Sequence, residues 1–67
     1  MNNPFQSGTQ NHRLLERLKV GPLTNVEIVR DMAILNSTGR ISDLRARGFD
    51  VKSEPKKNGI WVYTLRN

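Results

Sequence analysis

The sequence predicts a small α+β domain: three short helices followed by a two-stranded antiparallel ribbon. Three observations predict it. Two helix starts, Thr24-Asn25-Val26-Glu27 and Asn36-Ser37-Thr38, stand a short way apart. At Phe49 the apolar spacing changes from helical to alternating. Between two alternating runs lies Asn58-Gly59, the strongest short-range sign of a hairpin.

Taken in order, residues 1–8 are polar and rich in Gly, Pro and Asn, and are expected to form a flexible tail ahead of a domain at 9–67. Residues 10–19 form the first helix, with Thr9 as its cap. Leu14, Leu15 and Leu18 share one side while Arg13, Glu16 and Arg17 point away. Gly21-Pro22 ends it, the glycine as a left-handed cap and the proline because it cannot continue a helix. Thr24 and Glu27 form a capping box with Leu23 as the apolar staple before it. The second helix then runs to about residue 32 and buries some of Val26, Ile28, Val29 and Met32. Ala33-Ile34-Leu35 makes the connection. Asn36 caps a third helix over 37–47, closed by Gly48, with Ile41 and Leu44 facing inward together with the space over Gly48. Asn36, Gly39, Arg40, Asp43 and Arg47 fall on the outer side or its flanks.

In the ribbon, Phe49, Val51 and Ser53 alternate with Asp50, Lys52 and Glu54, and Trp61, Tyr63 and Leu65 alternate with Ile60, Val62 and Thr64. The turn is Pro55-Lys56-Lys57-Asn58-Gly59. A third, very short strand near Pro22-Leu23 is compatible with this layout.

Composition narrows the function. Sixty-seven residues make one domain, too small for a deep lidded cleft. There is no cysteine, so neither a disulfide nor a thiolate metal site supplements the core. No apolar run approaches the roughly 18 residues that span a bilayer, and the first residues lack the charged and apolar regions of a signal peptide. The expectation is a cytoplasmic chain without membrane contact. His12 is the only histidine, the acids are scattered, and no phosphate loop or nucleophile motif is present. No enzymatic activity, cofactor, metal or small-molecule ligand is expected.

The formal charge of +5 and a pI near 10.5 bias so small a domain toward polyanions. Its placement says more than its sum. Arg40, Arg45 and Arg47 less Asp43 leave the third helix at +2, and Lys52, Lys56 and Lys57 less Glu54 leave the ribbon at +2. The same counts would arise from ordinary solvated surfaces, but together the two elements form one candidate phosphate-binding surface. Asn36, Ser37, Thr38 and Arg40 stand at the N-terminal end of the third helix, where free N–H groups favour a phosphate and short side chains reach base edges. Arg40 suits bidentate pairing with guanine, or a salt bridge to Asp43. Asp43 completes the candidate groove contacts. Arg47, Lys52, Lys56 and Lys57 are candidate phosphate contacts. Arg45 lies nearer the buried flank, its stem expected to pack on the first helix or the sheet. Gly39 is unusual inside a helix, where it costs about 1 kcal/mol relative to alanine; close approach to DNA or to another helix would each explain it. Tyr63 and Leu65 are expected in the core, with Trp61 near the tip partly exposed.

The residues Ile34-Leu35-Asn36-x-Thr38-x-Arg40-Ile41-Ser42-Asp43-Leu44-Arg45-x-x-Gly48-Phe49-x-Val51, with the closing Tyr63-x-Leu65, resemble small winged helix-turn-helix proteins of bacteriophages and prophages. The resemblance covers about residues 10–65. It implies a winged helix-turn-helix fold, helix 36–47 in the major groove of double-stranded DNA, and hairpin tip 55–59 on the backbone as the wing. It further implies a role in phage transcription regulation, or in excision and integration. Two positions depart from the pattern: Ala33 stands where these proteins often have glycine, and the hairpin loop is short. Two other functions remain open beside sequence-specific regulation. One is a protein-interaction module docking on a host protein; the other is an excisionase-like architectural DNA-binding protein. A homodimer is a further expected partner state.

Overall fold

A computed structural model describes residues 3–66; Met1 and Asn2 of the expected tail and Asn67 at the end of the expected domain lie outside them. The described chain folds as α1 (Gln10–Val20), β1 (Leu23–Thr24), α2 (Asn25–Met32), α3 (Ser37–Ala46), β2 (Asp50–Pro55) and β3 (Trp61–Arg66). The sheet has three antiparallel strands in the order β1-β3-β2, not the two of a simple hairpin. β1 is short but its pairing is definite: Leu23 lies opposite Tyr63 and Thr24 opposite Val62. Leu23 is buried, so the strand ties the entry of α2 to the sheet and to the core at once.

Local chemistry sets the helix ends. The Thr9 hydroxyl accepts from the His12 N–H at 3.2 Å and starts α1. The expected capping box is present: Thr24 Oγ1 accepts from Glu27 N–H at 3.0 Å, and Glu27 Oε1 accepts from Thr24 N–H at 3.1 Å. Asn36 Oδ1 accepts from Gly39 N–H at 3.0 Å. At the end of α1 the structure corrects the sequence: Gly21 has φ 170° and ψ 179°, extended and not left-handed. Pro22 is the cause, because its ring disfavours helical backbone in the preceding residue and drives it outward. The left-handed residue is instead Ala33, at φ 56° and ψ 34°, closing α2. Gly48 is left-handed as well, at φ 92°, but it is exposed and covers no core.

The core is one cluster drawn from every element. Leu14, Leu15 and Leu18 of α1 meet Ile28 and Met32 of α2, Ile34 of the connection, Ile41 and Leu44 of α3, and Val51 and Tyr63 of the sheet. Of the four apolar residues in α2, Val26 and Val29 stay exposed. Arg13 Nη2 donates to Met32 O at 3.2 Å, occupying a carbonyl at the end of α2 from across the α1–α2 junction. The segment before α1 makes contacts of its own: Asn3 Nδ2 donates to His12 O and Glu16 Oε2, and Phe5 packs against the core edge.

Candidate nucleic-acid interface

α3 buries Ser37, Ile41 and Leu44, and that choice of buried side decides what the helix offers outward. Thr38, Ser42, Arg45 and Ala46 form its exposed side. Asn36 is exposed at the N-terminal end, its side chain engaged as the cap. Gly39 now has a cause. A Cβ there would come within 2.8 Å of Asn36 Cγ, because the capping carboxamide lies over the glycine whose N–H it accepts. The glycine leaves room for its own cap.

Arg40 and Asp43 sit on the flank turned toward α1. Arg40 Nη2 lies 3.2 Å from Asp43 Oδ2, and Asp43 Oδ2 also accepts from Asn11 Nδ2 at 3.2 Å. Both side chains are half-buried, and Arg40 Nε is buried without a partner. Arg47 lies just past α3, its guanidinium carbon 5.3 Å from the Phe5 ring centroid, in cation–π geometry. Phe5 also lies against Phe49, with centroids 6.4 Å apart. Arg47 is exposed and remains available to a phosphate, held by the segment ahead of α1.

The ribbon divides its lysines between two directions. Val51 and Ser53 face α3, so alternation puts Lys52 on the opposite face with Glu54. Lys52 therefore does not share the surface that α3 presents. Lys56 is exposed and ion-paired with Glu54 at 3.3 Å, and Lys57 is exposed in the turn. The turn is tight: Lys56 N–H donates to Ile60 O at 2.6 Å, and Asn58 and Gly59 both take positive φ, 59° and 74°. Asparagine and glycine are the residues that tolerate this conformation.

Two side chains fix the ribbon to the helices. Asn25, at the start of α2, donates to Gly59 O at 3.2 Å and accepts from Trp61 N–H at 2.9 Å. Arg45 Nε donates to Val51 O at 2.9 Å and Nη2 to Ser53 Oγ at 3.2 Å. Arg45 reaches the sheet, one of the two expected destinations, but through its guanidinium and from an exposed position rather than from the buried flank. It also lines a cleft of about 460 Å³ between α3 and the ribbon, shared with Asn25, Ser37, Thr38, Ser53 and Trp61.

The structure thus brings Asn36 and Thr38 toward a common open surface with Ser42 and Arg45, buries Ser37 at its edge, and turns Arg40 and Asp43 toward α1. Ser42, Asn25 and the cleft-facing role of Arg45 escaped the sequence. The available signal was that Thr38, Ser42 and Arg45 share one helical face once Ser37 joins Ile41 and Leu44 on the buried side. Among the described residues, no group of acids and histidines is arranged to hold a metal ion, and no helix is long and apolar enough to cross a membrane.

Residues 9–60 match the family model described as a winged helix-turn-helix domain. No curated protein and no solved structure matches the chain.

Proposed function

This chain belongs to the winged helix-turn-helix domain family, and we propose on that premise that it binds double-stranded DNA in a sequence-specific manner. α3 enters the major groove and the β2–β3 turn lies against the backbone. The observation that carries this reading is the open side of α3: short polar side chains at Thr38 and Ser42, Arg45 beside them, and the lysine-bearing turn pinned alongside by Asn25. Short hydroxyl side chains fit base edges, and the exposed cations at Arg47, Lys56 and Lys57 fit phosphates. Arg40 and Asp43 reach the groove by exchanging their mutual ion pair for contacts to bases, and Lys52 adds long-range attraction from the outer face of the ribbon. The finer role, a phage or prophage transcriptional regulator, rests on the resemblance carried by Arg40-Ile41-Ser42-Asp43-Leu44-Arg45 and Gly48.

A protein-docking role is favoured by one observation: Val26 and Val29 are exposed on α2, and Leu35 is 86% exposed in the connection that follows. Selection from a random pool of duplex DNA, at near-physiological salt and with stoichiometry recorded, separates the readings. An enriched motif is expected. Uniform, salt-sensitive binding would replace sequence-specific recognition with an architectural role, and no binding at low salt would leave the docking role.

A further inference from the structure

Ser37 and Tyr63, each about nine-tenths buried as a residue, line the α3–ribbon cleft with hydroxyls that no described protein group engages. Ser37 is 9% exposed and Tyr63 is 6% exposed, and both line the cleft. Neither hydroxyl makes a hydrogen bond among the described residues, and neither is sealed from solvent. Both hydroxyls reach the solvent of the cleft, so water is their partner and a ligand polar group can take its place.

The rest of the wall defines the ligand's chemistry. α3 has ten residues, and Asn36 caps the N–H of Gly39, leaving those of Ser37 and Thr38 without a side-chain cap. Those N–H groups and the helix dipole favour an anion. Arg45 uses Nε and one Nη2 hydrogen on the sheet and keeps further N–H donors in the same cleft. A volume of about 460 Å³ lies inside the range of small-molecule sites and exceeds what a bare phosphate fills. The remaining room is bounded by Trp61, 40% exposed, whose indole can stack on a ring.

We propose that this cleft takes a single nucleotide. Its phosphate sits against the first turn of α3, Ser37, Thr38 and Arg45; its base stacks on Trp61 and hydrogen-bonds the Tyr63 hydroxyl. The nucleotide is a free nucleoside monophosphate or one unpaired nucleotide of a DNA strand, and the second form rests on the DNA-binding reading above.

Trp61 is the only tryptophan, so its fluorescence reports occupancy directly. The full chain is titrated with nucleoside monophosphates, with a duplex carrying one unpaired nucleotide, and with the same duplex fully paired. Saturable quenching by a monophosphate, weakened about 2- to 10-fold by Ser37→Ala, supports the free ligand. Stronger quenching by the duplex with the unpaired nucleotide than by the paired one, with the same loss, supports the strand form. Tyr63→Phe removes only a hydroxyl and guards against a folding defect in the first variant, with circular dichroism as the check. The proposal is overturned if the monophosphates leave Trp61 unchanged and the two duplexes quench it equally, or if both variants bind as the parent does. Binding of the paired duplex alone would leave the DNA-binding reading standing. Monophosphate binding without any duplex binding would overturn that reading and keep the cleft.

Discussion

Asn36 and Gly39 form a pair whose energetics oppose each other. The Asn36 carboxamide accepts the Gly39 N–H, and a methyl group on residue 39 would displace it. Losing an N-cap costs about 1 kcal/mol, while replacing glycine by alanine inside a helix returns about 1 kcal/mol. Gly39→Ala is therefore expected to leave stability nearly unchanged, and Asn36→Ala alone to lower it by about 1 kcal/mol. In the Gly39→Ala background the Asn36→Ala cost should vanish. Urea denaturation of all four proteins in a double-mutant cycle checks this; additive costs would show that the cap survives the methyl group. Ala33 offers a gain in the same range. Left-handed backbone costs an ordinary residue about 1–2 kcal/mol, partly offset by the freer unfolded chain of glycine. Since Ala33 is exposed and left-handed, Ala33→Gly should raise stability by about 0.5–1 kcal/mol, seen as a melting temperature several degrees higher.

Among the elements, the ribbon is tied to the helices by two side chains that reach it from outside. Asn25 holds Gly59 O and Trp61 N–H from the first turn of α2, and Arg45 holds Val51 O and Ser53 Oγ from α3. These bonds set the position of the turn relative to α3. Asn25→Ala removes two of them, an expected loss of about 1–2 kcal/mol. Its specific mark is faster hydrogen exchange at the Trp61 amide, while the amides of α1 keep their protection. Equal protection at Trp61 in both proteins would show that the pairing of β3 with β1 and β2 holds the ribbon alone. The connection that leads into α3 is also held from outside. Arg13 of α1 meets the last carbonyl of α2, and Ile34, buried directly after it, anchors the connection to α3 in the core.

At the scale of the molecule, size limits what one copy can do. The longest dimension is 33 Å, close to the 34–36 Å that separates half-sites on one face of DNA, so a single copy reads one half-site at most. Single modules of this kind bury about 600–1,000 Å², from a total surface of 4410 Å² here. If Arg47, Lys56 and Lys57 each neutralise a phosphate, the logarithm of affinity should fall with the logarithm of salt at a slope of about −3. Lys57→Ala should then weaken binding to every sequence alike and reduce that slope by about one. An unchanged slope would remove the turn from the interface.

Within residues 9–60 much of the architecture was legible beforehand, because its determinants act over a few residues. Thr9, the Thr24–Glu27 box and Asn36 satisfy backbone donors three positions away. Asn58 and Gly59 supply the positive φ of the turn, and Ile41 and Leu44 follow the helical period into the core. Spacing and side-chain chemistry carry all of this without knowledge of the rest of the chain. What tertiary structure decided depends on partners remote in sequence. β1 exists because Leu23 pairs with Tyr63, remote in sequence, on the adjacent strand. Asp43 turns toward α1 because Asn11 donates to it there, Arg40 follows through its ion pair with Asp43, and Arg47 lies over Phe5, far ahead of it in the chain. The open face of α3 is whatever the core leaves uncovered, and burial of Ser37 beside Ile41 and Leu44 is what gave that face to Thr38, Ser42 and Arg45. A helix pattern states which residues share a side; only packing selects the side that water, or a ligand, will meet.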